Sequence, residues 1–380
     1  MMAFITISNK SLQVLMLDEI VQFERRAEIV AQSFTSLQTE KSNLRRPTTT
    51  TSSYARKPSQ ATNGHLKGNL LYDRQFDADR VWTMLIQEGS ALLSNPDNNQ
   101  HPLIGTIAME VGMHRPKQCL EAARAGFQAH CVEPSPASFQ RVQKGVKKES
   151  LEIRNRVHLY PMAAGGTTGD KVPFTAMGGT GDHVGNVDAW NMKTPEESNI
   201  KEQVTYAVGS ILEVPTIRLD DIIQKQHQGE QQTSASTVFA LKVDTQGFEL
   251  AVFAGLSESI RNLEVSFILL EYWPRGMDLL SGTPDACVAT KVLEQLIQAG
   301  YTLYAMPVVA HPRAPKGYQV AVQDRPLHDI KANCQWYIDL ERQFPSEEYK
   351  MGYWSDVLAV APNAPSFKGH ALTKLGKALE

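Results

Sequence analysis

At 380 residues the chain exceeds the ~150-residue prior for one domain, which admits one large domain with a tail or two domains. With 42% hydrophobic and 21% charged residues it is globular in composition, which excludes wholesale disorder, collagen-like sequence and coiled coil. A net charge of -3 offers no broad cationic field to collect phosphates, and nucleic acid is not expected as a partner.

Residues 9–38 carry Leu12, Leu15, Met16, Ile20, Val21, Ile29 and Val30 at helical spacing, and 43–68 form a Thr/Ser/Pro/Arg/Gly run unable to bury much surface. The expected order is an N-terminal helix and linker over 1–68, then a domain over 69–380. Arg45–Gln60 has the composition of a transit peptide, but Asp18, Glu19, Glu24 and Glu28 precede it, where such peptides are poor in acids. No window approaches a transmembrane span. Cys119, Cys131, Cys287 and Cys334 form no C-x-x-C pair, so neither a disulfide framework nor a zinc site is expected. A soluble protein of a reducing compartment follows, cytoplasmic, with organelle import as the alternative.

From about residue 75 short apolar runs alternate with helical stretches. Strands are expected at Leu103–Val111, Gln128–Val132, Val157–Ala164, Val238–Val243 and Val265–Leu270. Helices are expected at Pro116–Ala125, Ala137–Lys147, Leu250–Arg261 and Val288–Gly300. This alternation implies an α/β, doubly wound parallel sheet, with Tyr301–Val309 and Asp356–Val360 closing it as an antiparallel pair. Ligands of such sheets bind at the carboxyl ends of the strands.

Three strand ends carry chemistry. The first reads Glu110-Val111-Gly112-Met113-His114-Arg115-Pro116, an acid and a glycine at a turn. The second ends Cys131-Val132-Glu133-Pro134, and a carboxylate there suits two vicinal ribose hydroxyls, because it only accepts hydrogen bonds and has two oxygens. The competing reading makes Glu110 and Glu133 solvated strand ends. The third is Leu241-Lys242-Val243-Asp244-Thr245-Gln246-Gly247-Phe248-Glu249, with Asp244 at the strand tip and Glu249 either functional or a helix cap. The next strand ends Leu270-Glu271-Tyr272-Trp273, another carboxylate beside two aromatic rings.

Together Glu110-Val111-Gly112, Val132-Glu133-Pro134, Ala163-Ala164-Gly165, Leu219-Asp220-Asp221, KVDTQGFE over 242–249 and Leu270-Glu271 resemble the FkbM-type S-adenosylmethionine-dependent methyltransferases. The most specific part is KVDTQGFE, where the family has K-(I/V)-D-x-(E/Q)-G-x-E. The resemblance implies a class I methyltransferase, Rossmann-like, seven-stranded sheet in the order 3-2-1-4-5-7-6, behind an N-terminal helical extension. It also implies S-adenosyl-L-methionine as cofactor, with Glu110, Gly112 and Ala164 beside it, Glu133 on its ribose and Asp244 facing the transferred methyl. The family's first loop resembles D-(I/V/L)-G-A-N-x-G, whereas His114, Arg115 and Pro116 follow here. Arg115 either meets the cofactor's carboxylate as a bidentate donor or blocks the site by its bulk. His114 reads as a loop residue.

Catalysis is expected from Asp244, with Glu271 as the alternative, and an acceptor wall from Tyr272 and Trp273. The implied reaction is O-methylation of a hydroxyl on a sugar, glycolipid or polyketide-like acceptor; the alternative is a catalytically silent, nucleoside-binding or interaction domain. A nicotinamide dehydrogenase lacks its G-x-G-x-x-G here. The partner is then a small-molecule, glycan or lipid acceptor, with self-association left open. Two glycine runs are decoys: 165–171 lacks the G-K-(S/T) of a phosphate loop, and 179–185 follows no apolar strand. Both lie in a polar insertion, about 165–203, expected to overhang the carboxyl rim as a lid or acceptor-binding hairpin. Asp182, His183 and Asp188 have no recognised metal-ligand spacing, and no metal is expected.

Overall fold

The computed structural model describes residues 78–94, 106–176, 182–185, 210–229, 238–284, 286–310, 329–343, 353–365 and 378–379. The expected N-terminal helix and linker lie outside the described residues, as do Gly179–Gly181 and Asp188. In chain order the described elements begin with α1 (Ala78–Leu93), β1 (Ile107–Val111), α2 (Lys117–Arg124), β2 (Gln128–Val132), α3 (Pro136–Val146) and α4 (Leu151–Asn155). There follow β3 (Val157–Tyr160), β4 (Ala163–Ala164), β5 (Lys171–Ala176), β6 (His183–Val184), β7 (Ser210–Ile217), α5 (Leu219–Gly229) and β8 (Val238–Val243). The rest are α6 (Glu249–Ala254), α7 (Ser257–Arg261), β9 (Val265–Tyr272), α8 (Pro274–Leu280), α9 (Thr290–Gln298), β10 (Thr302–Ala310), α10 (Ile330–Gln343), β11 (Tyr353–Val360) and β12 (Ala378–Leu379).

Eight strands form the main sheet in the order β12-β10-β11-β9-β8-β1-β2-β3. Neighbours from β3 to β9 are parallel, and β11 enters antiparallel between β9 and β10. Counted without the short β12, the strands run 3-2-1-4-5-7-6, the class I methyltransferase order. Helices cover both faces, so the strands are apolar on both sides: in β9, Val265, Ile268 and Leu270 face one core cluster, while Phe267 and Leu269 face the other. Each such side chain contributes about 1.5 to 3 kcal/mol through burial.

Two expected elements are interrupted, each for a local reason. The run 157–164 splits at Pro161, which has no N–H for a ladder, and β4 leaves the main sheet to pair with β7. Helix 250–261 breaks at Gly255, where a Cβ would overlap the carbonyl of Gly165. The polar insertion builds a second sheet in the order β4-β7-β5-β6, and the glycine run before β5 gives the Gly165 and Gly169 N–H groups to the β7 carbonyls of Ile217 and Thr216.

The cysteine expectation is overturned. The fold pairs Cys119 on α2 with Cys131 on β2, and Cys287 with Cys334 on α10, at Cα–Cα distances of 6.2 and 5.8 Å. Residues remote in sequence became neighbours through the crossover after β1 and the packing of α10, which no Cys spacing encodes. The reducing compartment loses its basis with them. Among the described residues no helix is long and apolar enough to cross a membrane.

Candidate active site

The strand order reverses at β1, whose partners are β2 on one side and β8 on the other. A cleft opens at the carboxyl ends of these three strands, where ligands of such sheets bind. Val111, Gly112 and His114 line it from β1 and its loop, and Glu133, Pro134 and Ser138 from the β2 side. Asp244, Thr245, Gln246 and Phe248 follow β8, and Ala163 and Ala164 complete the wall. Phe174, Asp182, His183 and Val184, from the insertion, form its roof.

Glycine is required at 112 for a reason local to the two loops. Its φ is +86°, and a Cβ would overlap the carbonyl oxygen of Asp244. The Gly112 N–H donates to Val132 O at 3.0 Å, and the Asp244 N–H to Val111 O at 3.0 Å, so the three strand ends are fixed together. Behind them Glu110 is buried and accepts the Cys119 N–H at 2.7 Å, tying β1 to the first turn of α2. Burial pushes its carboxyl up to about 7, against the pull of Lys242 and that N–H. It stands outside the cleft lining.

Glu133 is buried, with Oε1 accepting the Ser135 N–H at 2.7 Å; among the described residues Oε2 accepts nothing. Burial holds this carboxyl well above the usual range, the Ser135 N–H opposes, and Asp182 and Glu110 add to the rise. Neither Glu110 nor Glu133 is a solvated strand end. Ser135 Oγ donates to Asp182 Oδ2 at 2.6 Å, latching the roof onto the β2 loop.

After β8, Asp244 Oδ2 pairs with Lys242 Nζ at 3.0 Å and Oδ1 accepts from Gln246 Nε2 at 3.1 Å. Burial pushes this carboxyl up, but the Lys242 charge and the hydrogen bonds from Lys242, Gln246 and Glu271 together outweigh it, and Asp244 stays below its ordinary value. Gln246 Nε2 also donates to Glu271, at 3.1 and 3.3 Å. Burial first, then Asp244 and Glu249, keep Glu271 well above the carboxylate range. Two nearby carboxyls are thus driven apart, Asp244 toward the ionised form and Glu271 toward the protonated one. Glu249 takes the Thr245 N–H and hydroxyl at 3.0 Å each and the Gly247 N–H at 3.2 Å, so it ties the turn together.

Of the residues singled out in the sequence, Gly112, Glu133, Ala164 and Asp244 meet around one cleft. Glu271, Tyr272 and Trp273 are buried outside its lining; Tyr272 packs edge-on to Tyr337, with ring centroids 5.7 Å apart. Arg115 is exposed and outside the lining, so it does not fill the cleft. His114, Asp182 and His183 line it, as do Phe174 and Phe248, which the sequence reading did not select. The only signal for the roof was the position of the insertion in the strand order.

The residues present fit an adenosyl group. The cleft has apolar walls and a buried carboxyl group with one oxygen still available for ribose hydroxyls.

Residues 110–280 match the methyltransferase FkbM domain family. No curated protein matches the chain. Similar solved structures include an O-methyltransferase from Bacillus cereus in complex with SAH, at 10% identity and TM-score 0.30, covering 76% of this chain and 81% of that one. Others are the methyltransferase domain of bacterial CtHen1-C, at 7% and 0.29 over 73% and 99%, and the glycopeptide N-methyltransferase MtfA complexed with sinefungin, at 9% and 0.24 over 73% and 87%. At such TM-scores these likenesses carry no argument. The strand order and the family match do: residues 110–280 form an FkbM-type, S-adenosylmethionine-dependent methyltransferase domain.

Proposed function

We propose that the chain is an O-methyltransferase acting on a hydroxyl of a sugar, glycolipid or polyketide-like acceptor, with residues 69–380 as its methyltransferase domain. The observation that carries this reading is Asp244, an ionised carboxylate on the cleft wall, held by Lys242 at 3.0 Å. When bound, the cofactor supplies an electrophilic methyl on sulfur. Glu133 would hold its ribose, and Gly112 and Ala164 would leave room for its approach. Asp244 would accept the hydrogen bond of the acceptor's hydroxyl, orient that oxygen and take its proton.

Orientation of this kind is worth ~7 to 11 kcal/mol, and proton acceptance roughly 10² to 10⁴-fold. A carboxylate held low is a weak base, so its larger share is alignment. Glu271, behind Gln246, accepts from that amide and keeps it in place. The Phe174 and Phe248 rings and the Asp182–Ser135 latch exclude water. The two disulfides favour an oxidising compartment over the cytoplasm.

The test is transfer of labelled methyl to an extract of the native cell, with the product identified by mass spectrometry. A methyl ether supports the proposal. An N-methyl product overturns the acceptor class, and cofactor binding without transfer to any component supports the silent domain instead.

A further inference from the structure

His114 occupies the loop between the carboxylate assigned to ribose, Glu133 after β2, and the one assigned to the acceptor, Asp244 after β8. A nucleoside held at Glu133 with its sulfur toward Asp244 would carry its amino-acid arm past this loop. His114 is half-buried, lines the cleft, and meets Arg141 of α3, whose guanidinium nitrogen lies 3.2 Å from Nδ1.

The chemistry of this contact fixes the ring's proton. A guanidinium only donates, so Nδ1 must accept, and the proton resides on Nε2. Arg141 is itself anchored, donating to Ser138 Oγ at 2.8 Å in the first turn of α3. Burial lowers the His114 pKa, and Arg141 and Arg115 lower it further, while Asp182 and Asp244 oppose; the ring is neutral at physiological pH. Among the described residues Nε2 has no partner, which leaves one uncommitted N–H on a cleft-lining ring held in a single tautomer.

We propose that His114 is the neutral N–H donor that reads the carboxylate of the cofactor's amino-acid end, and that Arg141 is the positioning residue that fixes its tautomer. The exposed Arg115 has no part in it. This rests on the methyltransferase reading and adds to it a specificity determinant at the amino-acid end.

The test uses calorimetric titration of the full chain with S-adenosylhomocysteine and with methylthioadenosine, which lacks the amino-acid end. His114→Ala should weaken S-adenosylhomocysteine about tenfold or more, the size of one hydrogen bond to a charged group, and leave methylthioadenosine unchanged. His114→Asn, which restores an N–H, should recover most of the loss. Nitrogen NMR of the ligand-free protein should show His114 protonated at Nε2, with a mixture of tautomers in Arg141→Met. Equal loss on both ligands, no loss on either, or a proton on Nδ1 would overturn the assignment. If neither nucleoside binds the unsubstituted protein, the cofactor reading fails first, and His114 with it.

Discussion

Glu133 is costly to bury and keeps one oxygen uncommitted, which makes its charge state the sensitive variable of the site. Burial raises its pKa, so the free cleft holds a fraction of this carboxyl protonated. Ribose hydroxyls donate best to the ionised form, so binding must release a proton and affinity must rise with pH until Glu133 is fully ionised. Titration of S-adenosylhomocysteine in two buffers of different ionisation enthalpy should show that release, and Glu133→Gln should abolish it. Asp244→Asn should leave S-adenosylhomocysteine within about threefold of its normal affinity and lower kcat by roughly 10² or more; weakened binding with unchanged turnover would reverse the two roles. Both residues were legible because a strand end is a fixed place in this kind of sheet. Glu271, Tyr272 and Trp273 occupy a strand end too, but Gln246 stands between Asp244 and Glu271, and α8 packs Trp273 against Gly276. His114 and Asp182 owe their positions to partners in α3 and the β2 loop, which spacing along the chain does not reveal.

Buried carboxylates also hold elements together away from the cleft. Asp220 has no exposed surface and accepts the Glu258 and Ser259 N–H groups at 3.1 and 3.0 Å, capping α7, which has no side-chain cap of its own. Asp220→Ala strands both donors and should cost about 1 to 3 kcal/mol in denaturant unfolding. Glu152→Ala, which breaks an ion pair between exposed Glu152 and Arg156, should cost under about 0.5 kcal/mol. Similar losses for the two would remove the capping role. The Leu219-Asp220-Asp221 motif is thus structural at Asp220, and the sequence could not say so, because the helix it caps comes after another strand. The strands β2 and β8 were readable to the residue, β8 because a doubly buried strand is a dense apolar run with sharp ends. The break at Gly255 was not, because the carbonyl that requires it belongs to Gly165.

At the scale of the whole molecule, the two disulfides are the clearest departure from the sequence reading. They close separations of 12 and 47 residues, and chain entropy assigns them about 3 and about 4 kcal/mol respectively. Protein made under oxidising conditions should show no accessible thiol when unfolded without reductant, and reduction should lower its unfolding free energy by an amount of that order. Four titratable thiols in the native protein would contradict both bridges and restore the cytoplasmic expectation. The fold was legible because alternation of strand and helix admits few topologies, whereas a thiol pair is a consequence of that topology.

The most direct measurement is the crystal structure of the chain with S-adenosylhomocysteine. The expected result is the nucleoside in the cleft between Gly112 and Glu133, both ribose hydroxyls on the Glu133 carboxylate and the sulfur toward Asp244. A nucleoside bound elsewhere, or one in that cleft with Glu133 out of hydrogen-bond reach, would contradict the assignment of the site.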